Sequence, residues 1–398
     1  MNPNEIPDAE SVYLIPTYRR PRVVFSHGEG AYLFDSNGKR YLDFAAGIAV
    51  TALGHGFPAW VEAVVDQASR LTHISNLFHS APQIELAKRL VENSFADRVF
   101  FSNSGSEANE AALKFARKWA RTNHGEDKTD FIAFEGGFHG RTLGALSLTH
   151  KNKYREPFGP LVPGVTFVPF NDLDAARRAI TDRTCAVFVE PVQGEGGVRI
   201  ADVLFLQGLR EICDQHATLL VCDEIQCGLG RTGRLWAHDV YGITPDIMTL
   251  AKPLAGGLPI GVTLVTEEVS RAVEVGDHGS TFGGGPLTCR AAQIIFDYIN
   301  QPDLLEGVVR SGEALMKGLR EFSSDNIIDV RGAGLLVGVE LKTAVKPLIE
   351  HSLEQGLIVI SAGENVLRLC PPLTITIDEV NTALEILNKG ISALERTS

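Results

Sequence analysis

The sequence is poor in several features that mark whole classes of protein. It has only six cysteines in 398 residues, and no two of them form C-x-x-C, so no paired-cysteine motif organises the chain. Cys185, Cys213, Cys222, Cys227, Cys289 and Cys370 sit mostly in apolar runs and read as buried free thiols, which fits a reducing cytoplasm. Positive charge is scarce: 37 Lys and Arg face 49 Asp and Glu, for a net charge of −12. That balance argues against a nucleic-acid or anionic-membrane partner. No apolar run is long enough to span a bilayer. The start, MNPNEIPDAE, is acidic and polar, without an apolar core or an Arg-rich amphipathic stretch. It therefore predicts no signal or transit peptide. Internal repeats, low-complexity tracts and metal-ligand spacings are also missing.

What is present is an ordinary globular composition, 44% hydrophobic and 22% charged. The length exceeds what one compact core usually holds and predicts two domains. The first 50 or so residues read as extended, with GAYLFDSNGKRYLDF forming a hairpin around Asn37-Gly38. RVFFSNSGSE reads as a strand entering a Ser/Gly loop, and EANEAALKFARKWAR as an amphipathic helix. Further strands are expected at FIAF (131–134), AVFVEP (186–191), TLLVCDE (218–224) and GVTLV (261–265), with the helix FLQGLREICDQH between two of them. Strands without alternation are buried on both faces, and their exchange with helices predicts a mostly parallel α/β sheet. From residue 291 the texture changes to a long helical pattern, then VRGAGLLVGVEL, GLIVI and VLRLCPPL, then a last helix. The expected organisation is an N-terminal segment, 1–55, that packs with a small α+β domain, 291–398, and a large domain, 56–290.

One stretch, CDEIQCGLGRTG, offers two kinds of chemistry. Gly228, Gly230 and Gly233 fit the G-x-G-x-x-G spacing of a dinucleotide turn. Such a turn places its glycines directly between strand and helix. Here five residues intervene after the strand, and RLWAHDVYG lacks a long helical period. The acids are the other possibility. Asp223, at the carboxyl end of a buried strand, lies where open α/β sheets bind ligands, although an acid there also caps helices or forms ion pairs. Lys252 follows an apolar run and precedes a Gly/Pro-rich turn, with Leu250, Ala251, Pro253 and Leu254 around it. A lysine in such surroundings is costly unless paired or neutralised, and can form a Schiff base. An Asp that keeps a pyridine nitrogen protonated, together with such a lysine, is the protein's share of pyridoxal-phosphate chemistry. The strand, loop and helix start at SNSGSEAN can hold a phosphate on free N–H groups; Ser104 and Glu107 read equally as a capping box. Phe138 and His139, in the turn EGGFHGRT, offer an aromatic face for stacking, and Arg141 can grip a carboxylate.

In order along the chain stand SGSEAN, GFHGRT, VEPVQGEGG, CDEIQCGLGRTG, AKPLAGGLPIG, HGSTFGG and LRLCPP. This series resembles the class III, fold-type I pyridoxal-phosphate aminotransferases over residues 15–395. Within that class it is similar to the acetylornithine aminotransferases of arginine biosynthesis, with LDFAAGIAVTALGH and HISNLFH in support. The resemblance implies roles by position. Lys252 matches the Schiff-base lysine, Asp223 the partner of the pyridine nitrogen, Gln226 the residue beside the ring hydroxyl, and Phe138 the stacking aromatic. Gly105 and Ser106 match the phosphate loop. Thr281 matches a threonine that reaches the phosphate from the neighbouring subunit, which implies a homodimer, and Ser280 stands beside it at the substrate edge. Arg141 matches the arginine for the donor's α-carboxylate, Arg368 the one for 2-oxoglutarate, and Glu195 the glutamate that screens Arg368 in one half-reaction.

The implied activity is transfer of the terminal amino group of N-acetyl-L-ornithine to 2-oxoglutarate, giving N-acetyl-L-glutamate 5-semialdehyde and L-glutamate. Related ornithine aminotransferases carry a tyrosine near the position of Ile48, where it meets the free α-amino group. An ammonium against an apolar Ile48 would be costly, so an acylated donor is favoured. Other ω-amino donors (ornithine, succinylornithine, N-succinyldiaminopimelate, 4-aminobutyrate) remain alternatives. So do an NAD-dependent oxidoreductase built on Gly228–Gly233 and a catalytically silent binding protein. Glu224 has no role in this reading beyond ordering its loop.

Overall fold

The strands that carry apolar residues at successive positions need a cover on both faces, and the chain supplies two. The structure, a computed structural model, describes residues 2–395; Met1 and 396–398, at the outer ends of the first and last expected segments, lie outside the described residues. In strand Asp130–Phe134, Phe131 and Ala133 join a core shared with helix Gly105–His124. Ile132 and Phe134 join another, shared with helix Val203–Gln215. The period-two geometry of the strand sends alternate side chains to opposite helical layers.

Seven strands form the central sheet, in the order Arg98–Ser102, Gly261–Val265, Ile247–Leu250, Leu219–Asp223, Thr184–Val189, Asp130–Phe134 and Val165–Val168. Gly261–Val265 runs antiparallel to both neighbours, and the other pairings are parallel. The sheet is therefore mostly parallel, as its apolar strands imply.

The hairpin at Asn37-Gly38 joins Tyr32–Asp35 to Arg40–Asp43 in antiparallel register. With Phe25–Glu29 these strands make a separate sheet, closed by a parallel pairing of Leu42 with Leu357. A second antiparallel sheet holds Ile327–Ala333, Leu336–Leu341, Val366–Leu369 and Ile360–Ser361. The run GLIVI is thus not one strand: Leu357–Ile358 pairs with the N-terminal sheet and Ile360–Ser361 with the C-terminal one.

Three local expectations need correction. The first 50 residues are not all extended, because Ile6–Tyr13 is an α-helix, with Pro7 in its first turn, where a missing N–H costs nothing. Position 291, taken as a boundary, falls inside helix Pro286–Ile299, which packs on helices Pro58–Arg70 and Ala81–Glu92. One apolar core runs through Phe44, Met248, Ile295 and Val337, so N-terminal, central and C-terminal elements share an interior. Finally, Ala46, Gly47, Ile48 and Ala49 all have positive φ, between 46° and 66°. Such a run is strained for side chains with a Cβ. The Asp43 carboxylate holds it, accepting from Ala45 N at 3.0 Å and Ala46 N at 2.8 Å, while His55 braces the other carboxylate oxygen at 2.9 Å.

Candidate active site

Parallel pairing decides where the site lies. Cys222 and Asp223 register against Met248 and Thr249, so the ends of these strands share one edge of the sheet. Lys252 follows the second strand by two residues and comes out beside Asp223. Glu190 leaves the end of Thr184–Val189 at that edge, and Phe138 and His139 follow Asp130–Phe134. A cavity of about 200 Å³ opens there, lined by Ser104, Gly105, Ser106, Phe138, His139, Gly140, Glu190, Glu195, Asp223, Ile225, Gln226, Ala251 and Lys252. Its position at the carboxyl ends of parallel strands is where such sheets bind ligands.

Asp223 is 3% exposed and well supplied with donors. Its Oδ2 accepts from Asn109 Nδ2 and from the His139 ring, each at 2.7 Å, and its Oδ1 from Ile225 N at 3.1 Å. Asn109 is held in turn by the Thr249 hydroxyl, which donates to Asn109 Oδ1 at 2.9 Å. Burial pushes the His139 imidazole down, but the hydrogen bond to Asp223 and the charge behind it outweigh this and raise it.

Lys252 is partly buried and has no hydrogen bond or ion pair among the described residues. Burial lowers its pKa, against the opposing pull of Glu195 and Asp223 and with some help from Arg368. The neutral amine, a nucleophile and a base, is thereby favoured. Glu190 is raised to about 7, first by burial and also by the Asp223 charge; the His139 charge and bonds from Phe138 N and Gly194 N pull the other way. Those two N–H groups donate to its carboxylate at 2.9 and 3.1 Å, so Glu190 ties the Phe138 turn to the Glu195 loop.

Arg368 lies on the central strand Val366–Leu369 of the C-terminal sheet and is 2% exposed. Its Nη1 donates to Glu195 Oε1 at 2.7 Å and to Gln226 Oε1 at 3.0 Å. Glu195 keeps a third of its side chain exposed, so the acid can leave while the arginine stays. Helix Gly105–His124 begins under the cavity, with the Ser104 hydroxyl accepting from Glu107 N at 3.2 Å. That is the expected cap, and the remaining first-turn N–H groups have no partner within the helix. The glycine at its start is required by close approach: a Cβ on Gly105 would lie 2.8 Å from Ile225 Cδ1.

Other expected residues sit outside the cavity. Arg141 is exposed and has no acid partner among the described residues; its guanidinium stacks 3.6 Å from the centre of the Tyr154 ring, with Phe138 at 5.5 Å. Ser280 and exposed Thr281 line a separate pocket with Asn103 and His278. A single chain does not bring Thr281 to Lys252. Ile48 is 44% exposed and does not line the cavity, but its turn is joined to the Arg368 strand through Cys370 N, which donates to Phe44 O at 2.8 Å.

The glycine loop is not a dinucleotide turn. Strand Leu219–Asp223 is followed by turns and then only the short 3-10 helix Ala237–Tyr241, so no helix N-terminus stands behind the glycines. They face inward instead: a Cβ on Gly230 would meet Ile299, Leu305 and Leu373, and one on Gly233 would meet Val309. Glu224 orders this loop. Fully buried, it accepts from Ala237 N, His238 N and the His238 ring.

Sequence reasoning missed Asn109, Glu190 and Tyr154, and treated His139 only as a neighbour of Phe138. Their partners are remote: 114 residues separate Asn109 from Asp223. Only the positions of Glu190 and His139 next to predicted strand ends signalled them.

A buried lysine and carboxylate at the carboxyl edge of a mostly parallel sheet, with an arginine–glutamate pair at the rim, define an α/β enzyme built to handle amines and carboxylates. Residues 14–391 match the family model for class-III aminotransferases, and the chain belongs to that family. It is 53% identical to the mitochondrial acetylornithine aminotransferase of Alnus glutinosa, over 98% of this chain and 88% of that one. Among solved structures, it superposes on the ornithine aminotransferase of Toxoplasma gondii with a TM-score of 0.96 at 34% identity, covering 100% of this chain and 97% of that one. It superposes on the N-acetylornithine aminotransferase of Stenotrophomonas maltophilia with a TM-score of 0.85 at 38% identity, covering 98% and 100%.

Proposed function

We propose that this transaminase uses pyridoxal 5'-phosphate to move the terminal amino group of N-acetyl-L-ornithine to 2-oxoglutarate. The observation that carries this is Lys252, an amine without an ion-pair partner among the described residues, in one buried pocket with Asp223. The residues present fit the cofactor. The Gln226 Nε2 donor is buried without a partner, the helix start at Gly105 and Ser106 offers free N–H groups, and the bare Cα of Gly105 leaves room beside them. In an ornithine aminotransferase of Toxoplasma gondii crystallized with oxidized glutathione, PLP partly occupies the active site.

When bound, the cofactor supplies an aldehyde carbon that accepts amines and a pyridine ring that draws electrons. Lys252 is the amine that holds it and, once freed, the base and then the acid at the donor's reacting carbon. Asp223, fixed by Asn109 and His139, keeps a proton on the ring nitrogen, while Phe138 covers the ring. Gly105 and Ser106 hold the phosphate, with Thr281 of a second copy. Arg141, steadied on Tyr154, takes the donor's α-carboxylate, with Ser280 at the substrate edge. Glu195 covers Arg368 while the amine donor is bound and uncovers it for the carboxylate of 2-oxoglutarate.

Two observations bear on the donor. Backbone likeness is greater to an ornithine enzyme than to the N-acetylornithine enzyme, but fold similarity reports the scaffold, and specificity resides in side chains. Sequence identity is greater to acetylornithine enzymes, and Ile48 offers no polar partner for a free α-ammonium. Steady-state kinetics over N-acetylornithine, ornithine, succinylornithine, N-succinyldiaminopimelate and 4-aminobutyrate decides; higher kcat/KM for free ornithine would overturn the acetylornithine reading.

The same reading makes the protein a cytoplasmic homodimer. All six cysteines are unpaired and buried, which suits a reducing compartment, and no helix among the described residues is long and apolar enough to cross a membrane. Leu77, Phe78 and Phe282 are 86%, 68% and 67% exposed, on segments joined where Asn76 Nδ2 donates to Ser280 O and Gly283 O. An apolar face beside Thr281 is what a second copy would cover.

A further inference from the structure

We infer that Gln226 is a positioning residue that couples the carboxylate site at Arg368 to the ring of the bound cofactor, so that filling one site is felt at the other. This rests on the reading of the pocket as a pyridoxal-phosphate site. It adds to that reading a link between two subsites that are otherwise independent.

The link begins with hydrogen-bond arithmetic. A guanidinium only donates, whereas a primary amide offers one acceptor and one donor end. Arg368 Nη1 lies 3.0 Å from Gln226 Oε1, so Arg368 dictates which way the amide faces. The other end, Nε2, is then left buried with no partner. Gln226 lines the cavity that Asp223 and Lys252 also line. An unpaired buried donor in such a place waits for an acceptor that the chain does not supply, and an oxygen on the cofactor ring is of that kind.

The carboxylate end is connected through the same atom. Nη1 of Arg368 also donates to Glu195 Oε1 at 2.7 Å. A dicarboxylate that displaces Glu195 competes for the group that orients Gln226. The amide has little room to escape: a Cβ at Gly194 would lie 1.6 Å from Gln226 Oε1, so the side chain rests against bare backbone next to Glu195. Movement of the Glu195 loop, replacement of its charge, or a new carboxylate on Arg368 each alters the hydrogen bond on the oxygen side of the amide. A hydrogen bond lost or gained at one end of a short chain changes the strength at the other.

The test uses the purified holoenzyme and glutarate, a dicarboxylate with neither an amino nor a keto group, so no turnover intervenes. The apparent pKa of the cofactor absorption band is measured by pH titration with and without saturating glutarate, and glutarate binding is measured separately by calorimetry. In the unmodified enzyme glutarate should shift that pKa by at least about half a unit, the order expected when one hydrogen bond to the charged form changes. Gln226→Met, of similar length but without donor or acceptor, should still bind glutarate yet lose most of the shift. Gly194→Ala, which keeps the amide and displaces it, should lose most of it as well. A full shift in both variants would mean that glutarate acts by its charge alone, and would overturn the link. So would bound glutarate with no shift in the unmodified enzyme. A protein that shows no cofactor band after reconstitution would instead sink the pyridoxal-phosphate reading and the link with it.

Discussion

Replacing Asp223 with Asn tests the centre of the proposed site with the least change of shape. The carboxylate accepts three hydrogen bonds in a nearly dry environment. An asparagine can keep its oxygen toward Asn109 and His139, but its NH₂ then faces the N–H of Ile225. One buried donor loses its partner, and the partners of Oδ2 lose a charged acceptor. Breaking a buried charged arrangement in this way costs about 3–5 kcal/mol. Melting should fall by roughly 5–15 °C for a domain of this size. The chemical effect should be of similar energy. If Asp223 holds a protonated ring nitrogen through a buried ion pair, its loss lowers turnover by about 10²–10⁴-fold. The assay is a single-turnover half-reaction with N-acetylornithine, followed by cofactor absorbance well below the variant's melting temperature. His139 should also lose its raised pKa, since burial alone would then act on it. Asp223→Asn that binds cofactor and reacts at the unmodified rate would refute the assignment; a melting loss without a rate loss would make Asp223 structural.

Glu190 makes stability depend on pH. Its native pKa of about 7 exceeds the ordinary 4.5, so the fold retains a proton that the unfolded chain releases between these values. The contribution is complete below pH 4.5 and is lost as pH rises through about 7, amounting to about 3 kcal/mol at most. Denaturant unfolding at pH 5 and pH 8 should show this fall, and Glu190→Gln should reduce it; an unchanged slope would rule out Glu190 as its source. Gly230→Ala places a Cβ 2.9 Å from Ile299 at a φ of +82° and should destabilise by roughly 1–3 kcal/mol, with KM for both substrates unchanged. A selective rise in KM would bring the glycine loop back into the site. Mixing equal amounts of Lys252→Ala and Thr281→Ala subunits should restore about a quarter of the active sites if Thr281 serves its neighbour across a two-fold interface. Activity equal to the mean of the two variants would place Thr281 within its own chain.

Local chemistry already marked much of this molecule along the chain. Asn37-Gly38 called for a hairpin, unbroken apolar runs called for strands covered on both faces, and Ser104 announced the start of a long helix. Lys252 stood out because its immediate neighbours are apolar. These signals act over a few residues, and the structure honours them. The ordered motifs also carried the family, since a series spread over the whole chain is hard to match by accident.

Partnership was decided only by the tertiary structure. Nothing within a few residues of Asp223 announces Asn109 or His139; a helix and a turn deliver them after the sheet has formed. The register of two parallel strands puts Lys252 beside Asp223, and a separate sheet brings Arg368 to Gln226 and Glu195. The positive-φ turn at Ala46–Ala49, the helix Ile6–Tyr13 and the division of GLIVI between two sheets were likewise invisible, because packing and remote hydrogen bonds there override local preference. The raised pKa of Glu190 belongs to the same class: composition says that an acid is present, but only burial beside Asp223 makes it hold its proton.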